Sequence, residues 1–75
     1  MKGRPVKHSL TLKGHRTSVS LEDLFWQEFR RIARENNKTI NALASEIDVS
    51  REPEVGLASS IRVFVLEHCL SSRDA

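Results

Sequence analysis

Cys69 follows His68 directly, the one place in the 75-residue sequence where a thiol stands beside an imidazole. Neighbouring residues on a helix point about 100° apart, so the two are poorly placed to share a proton. A cysteine lining a helix is more often a small buried hydrophobe than a nucleophile. His8 and His15 stand far from that pair, and a single cysteine with three scattered histidines does not form the close cluster of a structural zinc site. Both histidines are expected to pack at an edge or in a core. No serine sits in a nucleophile elbow, no glycine-rich loop could cradle a phosphate, and neither HExxH nor paired-cysteine spacing occurs. The expectation is no catalytic residue, no metal and no cofactor. The chemistry that the sequence does carry is charge. Residues 1–20 hold Lys2, Arg4, Lys7, Lys13 and Arg16 with no acid, a local +5, whereas residues 21–75 hold seven bases and ten acids, a local −3. Such segregation suits an N-terminal segment that meets a polyanion, although a solvated basic tail would carry the same charges.

Those charges need elements to position them, and length limits what can be built. Hydrophobic residues make up 39% and charged residues 29%, which is globular rather than disordered. A chain this short buries only about 60% of its unfolded surface, so one domain with a thin core is the upper bound. Cys69 has no second cysteine to pair with, which leaves oligomerisation as the remedy and suits a reducing compartment. No apolar run approaches the roughly 18 residues of a membrane span, and no apolar segment of secretory type follows Met1–Ser9. A cytoplasmic protein without a membrane partner is expected.

Two segments alternate. Thr17, Val19 and Leu21 share one face of a strand, with Arg16, Ser18 and Ser20 on the other. Before them, Val6, His8, Leu10 and Leu12 alternate with Lys7, Ser9 and Thr11. If Lys13-Gly14 is a two-residue loop, Leu12 lies opposite His15, Leu10 opposite Thr17 and His8 opposite Val19, and the faces match throughout. The alternative is a free basic arm over residues 1–13.

Helical spacing begins at once. Ser20 and Asp23 stand three apart like a capping box, and Leu21, Phe25, Phe29, Ile32 and Ala33 recur at helical spacing to about Asn36. Glu28, Arg30, Arg31, Arg34 and Glu35 make the wet face, with Trp26 partly buried beside the apolar stripe. Asn36-Asn37-Lys38 reads as a turn, and Thr39 as the N-cap of a second helix presenting Ile40, Leu43, Ala44 and Ile47. Asp48–Gly56, with Pro53, should break that helix. A third, roughly Leu57–Leu70, should bury Leu57, Ile61, Phe64 and Val65, with His68 at its edge.

The run His15-Arg16-Thr17-Ser18-Val19-Ser20-Leu21-Glu22, then Phe25, Phe29 and Ile32-Ala33, then Lys38-Thr39-Ile40-Asn41-Ala42-Leu43, resembles the ribbon-helix-helix (MetJ/Arc) family. It looks like the short stand-alone bacterial members. The likeness is close over residues 15 to about 47, and Ile61–His68 supplies a helix that finishes the core. It implies a mainly α protein with an N-terminal β-ribbon, formed as a homodimer. An extra N-terminal strand and a split second helix would be this chain's departures from the pattern. In that family two strands, one per chain, pair as an antiparallel ribbon in the major groove.

By that resemblance, Arg16, Ser18 and Ser20 would face the bases, with Ser20 also claimed by its capping role. Thr39, Ile40 and Asn41 would grip a phosphate through the helix N-terminus, and Lys38 and Lys13 would add positive charge. Val19, Leu21, Phe25, Phe29, Ile32, Leu43, Ile47, Ile61, Phe64 and Val65 would form the dimer core. The expected division is a basic arm or extra strand over 1–14, the ribbon-helix-helix unit over 15–71 and a tail over 72–75. With only Ser71–Ala75 after the core, a toxin-binding segment of antitoxin type is not expected.

The function so implied is sequence-specific binding of double-stranded DNA by a homodimer, as a small repressor-like transcriptional regulator and not an enzyme. The alternative is a dimeric interaction or assembly module of the same fold, with a protein partner and without specific DNA binding. The N-terminal segment bears on the choice. Four strands at about 4.8 Å spacing would span some 14 Å between outer backbones, too broad to lie flat in a groove about 12 Å wide. On that reasoning a closed hairpin would have to open before the ribbon could enter.

Overall fold

Lys13 and Gly14 both take positive φ, 52° and 81°. Two successive left-handed residues make a type I′ turn, whose twist matches that of the strands it joins. In the computed structural model, which describes residues 3–73, this turn joins β1 (Val6–Leu12) to β2 (His15–Leu21). The strands pair antiparallel from Leu12↔His15 through Leu10↔Thr17 and His8↔Val19 to Val6↔Leu21. This is the register expected from matched faces, and it excludes the free arm. Residues 3–5 precede the hairpin; Lys2, counted among the bases, and the 74–75 end of the expected tail lie outside the described residues.

Three helices follow: α1 (Asp23–Glu35), α2 (Ile40–Ser50) and α3 (Leu57–Arg73). The first start differs from expectation. Ser20 stays in β2 opposite Lys7, because strand pairing holds through Leu21. Glu22 is the N-cap of α1 in extended conformation and makes no side-chain cap bond, so there is no capping box. The end of α1 follows the turn signal. Asn37 adopts a left-handed φ of 56°, its N–H donates to Arg34 O at 3.1 Å, and Lys38 N–H donates to Ala33 O at 2.9 Å. That pair of bonds is a Schellman stop, which asparagine tolerates at the left-handed position.

Thr39 then caps α2, its Oγ1 accepting from Ala42 N–H at 3.0 Å. The helix runs past the expected break at Asp48 to Ser50. Arg51 turns its guanidinium back onto Asp48 at 2.7 Å and donates to Val55 O at 2.8 Å, so it organises the link to α3. Three residues more than expected extend α3 at its C-terminal end.

The inward face of the hairpin lies on the helices as one layer on another. Leu10, Leu12, Val19 and Leu21 meet Phe29, Ile32 and Ala33 of α1, Leu43, Ala44 and Ile47 of α2, and Ile61 and Val65 of α3, all buried. Phe25 and Phe64 are part-buried against this core. Thr17, although its register places it inward, is exposed. The strand β2 is thus not isolated, and burial of Val19 and Leu21 is achieved within one chain.

Candidate nucleic-acid interface

A pleated hairpin with one buried face must turn the other outward. That face consists of three cross-strand pairs, Lys7 with Ser20, Ser9 with Ser18 and Thr11 with Arg16, and all six residues are exposed. It carries two cations, four hydroxyls and no carboxylate. Lys13 at the turn and Arg4 before β1 are exposed as well. The acid nearest in sequence is Glu22, just past the end of β2. Arg62 of α3 holds it, donating from Nε to Oε1 at 2.8 Å and from Nη2 to Oε2 at 3.2 Å. This hydrogen bonding from Arg62 lowers the Glu22 pKa below the usual carboxylate range, and the paired guanidinium offsets the negative charge at that end of the ribbon.

The two edges of the hairpin differ. In a ladder closed by a two-residue turn, Leu12 and His15 exchange hydrogen bonds, so the backbones of Thr11, Arg16 and Ser18 point outward. On the β1 side, Thr11 N–H donates to Asn41 Oδ1 of α2 at 3.1 Å. On the β2 side, Ser20 O accepts from Arg62 Nη2 at 3.4 Å. Among the described residues, the outward groups of Arg16 and Ser18 have no partner. On β1 the outward groups of Lys7 and Ser9 are likewise without a partner among the described residues, so α2 covers the β1 edge only near the turn.

Asn41 also brings the start of α2 beside β1. The N–H groups of Ala42 and Leu43 are taken by Thr39, through Oγ1 and the carbonyl respectively. The N–H groups of Ile40 and Asn41 precede these in the first turn, where a helix has no internal acceptor for them. A shallow depression beside them is lined by Arg30 and Arg34 of α1 together with Lys38, Thr39 and Ile40. The ammonium of Lys38 is not free for an anion in this arrangement, because it donates to Glu46 Oε1 at 2.8 Å.

The structure therefore brings Arg16, Ser18, Ser20 and Lys13 to the hairpin, and Lys38, Thr39, Ile40 and Asn41 to its flank. Alternation with apolar residues already places Lys7, Ser9 and Thr11 on this polar face in the sequence, but they are not among the residues expected to touch DNA. Arg30 and Arg34 read from the sequence as part of the wet face of α1, and their place beside the start of α2 depends on the path of the turn between the two helices, which their spacing does not show.

The remaining reactive side chains go elsewhere. Cys69 donates its thiol toward Glu28 Oε1 at 3.7 Å. The ring of His68 lies 6.4 Å from that of Phe64, so the adjacent thiol and imidazole serve different neighbours. The ring of His8 is stacked on Trp26. Among the described residues, no group of three or more His, Cys, Asp or Glu could hold a metal ion, and no helix is long and apolar enough to cross a membrane.

Comparison with known proteins adds one finding. A family model described as a ribbon-helix-helix domain matches residues 5–69, nearly the whole chain, β1 included. No curated protein and no solved structure matches it. With the hairpin, the three helices and that match together, the chain belongs to the ribbon-helix-helix family, whose members typically form dimers and bind DNA as transcription regulators.

Proposed function

We propose that the chain is a sequence-specific DNA-binding protein that acts as a homodimer, a small repressor-like regulator that works by occupying its site. The observation that carries this reading is the outward face of the hairpin: six exposed polar side chains, two of them cationic and none acidic, flanked by the first turn of α2. Arg16 can address guanine O6 and N7, and the hydroxyls of Ser18 and Ser20 can donate to or accept from several base edges. The amides of Ile40 and Asn41, with Arg30, Arg34 and Lys13, supply the phosphate contacts.

A closed hairpin does not have to open for this. Suppose a second copy joins along the β2 edge, where the outward groups of Arg16 and Ser18 have no partner among the described residues. Strand spacing then puts each β2 about 2.4 Å from the two-fold axis and each β1 about 7 Å from it. Half the width of the major groove is about 6 Å. The β2 pair falls inside the groove and the β1 strands run over its two rims, where Lys7, Ser9 and Thr11 meet phosphates. The flat-entry limit applies only to four strands asked to fit between the walls. On this reading Arg16, with its long side chain, reads bases more strongly than the short serines.

A second reading has its own observation. Leu24, Val63, Leu66 and Leu70 are exposed, and Leu24, Phe25, Val65, Leu66 and Cys69 line an apolar groove between α1 and α3. An assembly module of the same fold would use that surface and leave the ribbon idle. Selection from random double-stranded DNA at physiological salt separates the two. Enrichment of a common sequence is expected for the regulator; retention of no sequence over repeated rounds would leave the assembly module.

A further inference from the structure

The contact between Asn41 and Thr11 joins two parts of the surface that are 30 residues apart in sequence. One part is the ribbon, whose side chains face bases. The other is the first turn of α2, whose amides face phosphate. DNA sets a fixed distance between a base edge and the phosphates of the groove wall, so the two parts can be satisfied together only if the protein holds them at a matching separation.

We propose that Asn41 is the positioning residue that sets this separation. The inference rests on the DNA-binding reading above and adds a role for the side chain that the reading does not contain. The geometry is specific. Thr11 lies opposite Arg16, so its N–H points away from β2 and would otherwise be a bare edge donor. The Asn41 carbonyl oxygen takes it at 3.1 Å. Asn41 is the second residue of α2, and its own N–H belongs to the pair of first-turn amides without a helical acceptor. One residue therefore holds β1 with its side chain and offers its backbone to an anion. Thr39, which caps the same turn through Ala42 N–H, fixes the shape of the turn, whereas Asn41 fixes where that turn sits relative to the ribbon.

The two edges are held by different helices. On β1 the Thr11 N–H is held by Asn41 of α2, whereas on β2 it is the Ser20 carbonyl that is held, by Arg62 of α3. The helix start is consequently tied to the outer strand of each chain, on the side away from any second copy joined through β2. Two such helix starts would stand outside the two rims of the groove, one per wall.

The test is a double-mutant cycle on the full chain, read by DNA binding and by amide hydrogen exchange. Asn41→Ala removes the acceptor. Thr11→Pro removes the donor without removing a bond of the β1–β2 ladder, because that N–H points outward. In the parent protein the Thr11 amide is expected to exchange more slowly than that of Ser9, which also points outward. Asn41→Ala should bring Thr11 to the Ser9 rate and leave Leu10 and His8 protected. Binding to the selected duplex should weaken about three- to tenfold, the range of one hydrogen bond, and the salt slope should fall as the α2 phosphate contact is lost. In the Thr11→Pro background, Asn41→Ala should cost nothing more. Asn41→Asp keeps an acceptor, so it should preserve slow exchange at Thr11 while its added charge weakens binding.

Other results overturn the proposal. An equal loss from Asn41→Ala in both backgrounds would make Asn41 a direct DNA contact. Fast Thr11 exchange with unchanged DNA binding would make the bond merely structural. If Thr11→Pro does not fold, the comparison of Thr11 and Ser9 exchange with salt slope in Asn41→Ala decides the same point. A parent protein that binds no duplex while Thr11 remains protected would remove the DNA reading, and this proposal with it, but leave the contact itself standing.

Discussion

His8 lies flat against Trp26, with ring centroids 3.8 Å apart and planes 7° from parallel. The imidazole comes from the inward face of β1 and the indole from the first half of α1, so this stack fastens the outer strand to the helical layer. The indole is itself tilted against buried Phe29 at 6.1 Å, which extends the contact into the core. Because Trp26 is the only tryptophan, its emission reports on β1 directly. His8→Ala should shift that emission and cost about 1 kcal/mol, the scale of an aromatic pair. Trp26→Ala should cost more, about 2–3 kcal/mol, somewhat less than a fully buried ring because Trp26 is only partly buried. Unchanged emission in His8→Ala would show that β1 is not docked on α1 through this pair.

Phe29 is the deeper residue, 0% exposed, with Phe64 edge-on at 6.4 Å. Truncation to alanine leaves a cavity that hairpin and helices share. Phe29→Ala should destabilise by about 3–5 kcal/mol in chemical denaturation. A loss below about 1 kcal/mol would mean that the buried stripe of α1 has been assigned to the wrong face.

How much of this was legible before the structure depends on whether the signal was local. The hairpin register followed from two alternating runs and a two-residue gap, since a slip of one residue would have put Lys7 and Ser9 into the core. The turn at Asn36-Asn37-Lys38 and the cap at Thr39 are readable for the same reason, because each acts on backbone within a few residues. Ser20 satisfies two local rules, strand face and helix cap, and the strand pairing of Leu21 with Val6 decides for the strand. The bonds that shape the candidate site join Thr11 to Asn41, Glu22 to Arg62 and Lys38 to Glu46. The first two join residues 30 and 40 apart, which meet only after the chain has turned back on itself and which no periodicity marks; Lys38 and Glu46 are eight apart and meet along α2.

The Glu22–Arg62 pair makes stability depend on acid. Hydrogen bonding from Arg62 holds the Glu22 carboxyl below its usual pKa, and Arg31 does the same for Glu28. A carboxylate whose pKa is lower folded than unfolded stabilises the fold fully above the unfolded value, about 4.3, and loses that contribution as pH falls through the lower folded value. The unfolding midpoint should therefore decline from pH 5 toward pH 3. Glu22→Gln should flatten part of that decline, and an unchanged profile would mean that the pair is not formed in solution.

Joining two copies along β2 predicts that folding and association are linked. The unfolding midpoint should rise with protein concentration. Ser18→Pro removes no bond between β1 and β2, because the Ser18 N–H points out at the β2 edge, but it denies that edge a donor. It should lower the dimer fraction at a given concentration more than it lowers the stability of the monomer. A concentration-independent midpoint with a monomeric mass would exclude the paired ribbon. A dimer indifferent to Ser18→Pro but broken by Leu66→Glu would move the interface to the apolar groove between α1 and α3.

Arg16 and Lys38 should act on DNA through different terms, and Glu46 makes the difference measurable. Arg16 stands exposed on the ribbon, so Arg16→Ala should relax base preference and cost roughly 1–3 kcal/mol at the selected site. Lys38 adjoins the helix start and would see phosphate only, but Glu46 already holds its ammonium at 2.8 Å. Lys38→Ala should therefore weaken all duplexes alike and reduce the salt slope by less than the roughly one unit of a free lysine. Glu46→Gln removes the competing carboxylate, and should strengthen binding to selected and scrambled duplexes equally while steepening the slope. Both effects should vanish in a Glu46→Gln, Lys38→Ala double variant relative to Lys38→Ala alone, apart from the loss of one surface negative charge. Titrations against selected and scrambled DNA at several salt concentrations distinguish these outcomes. If Arg16→Ala leaves the ratio of selected to scrambled affinity unchanged, the ribbon is not the surface that reads sequence, whatever the phosphate contacts of α2 contribute.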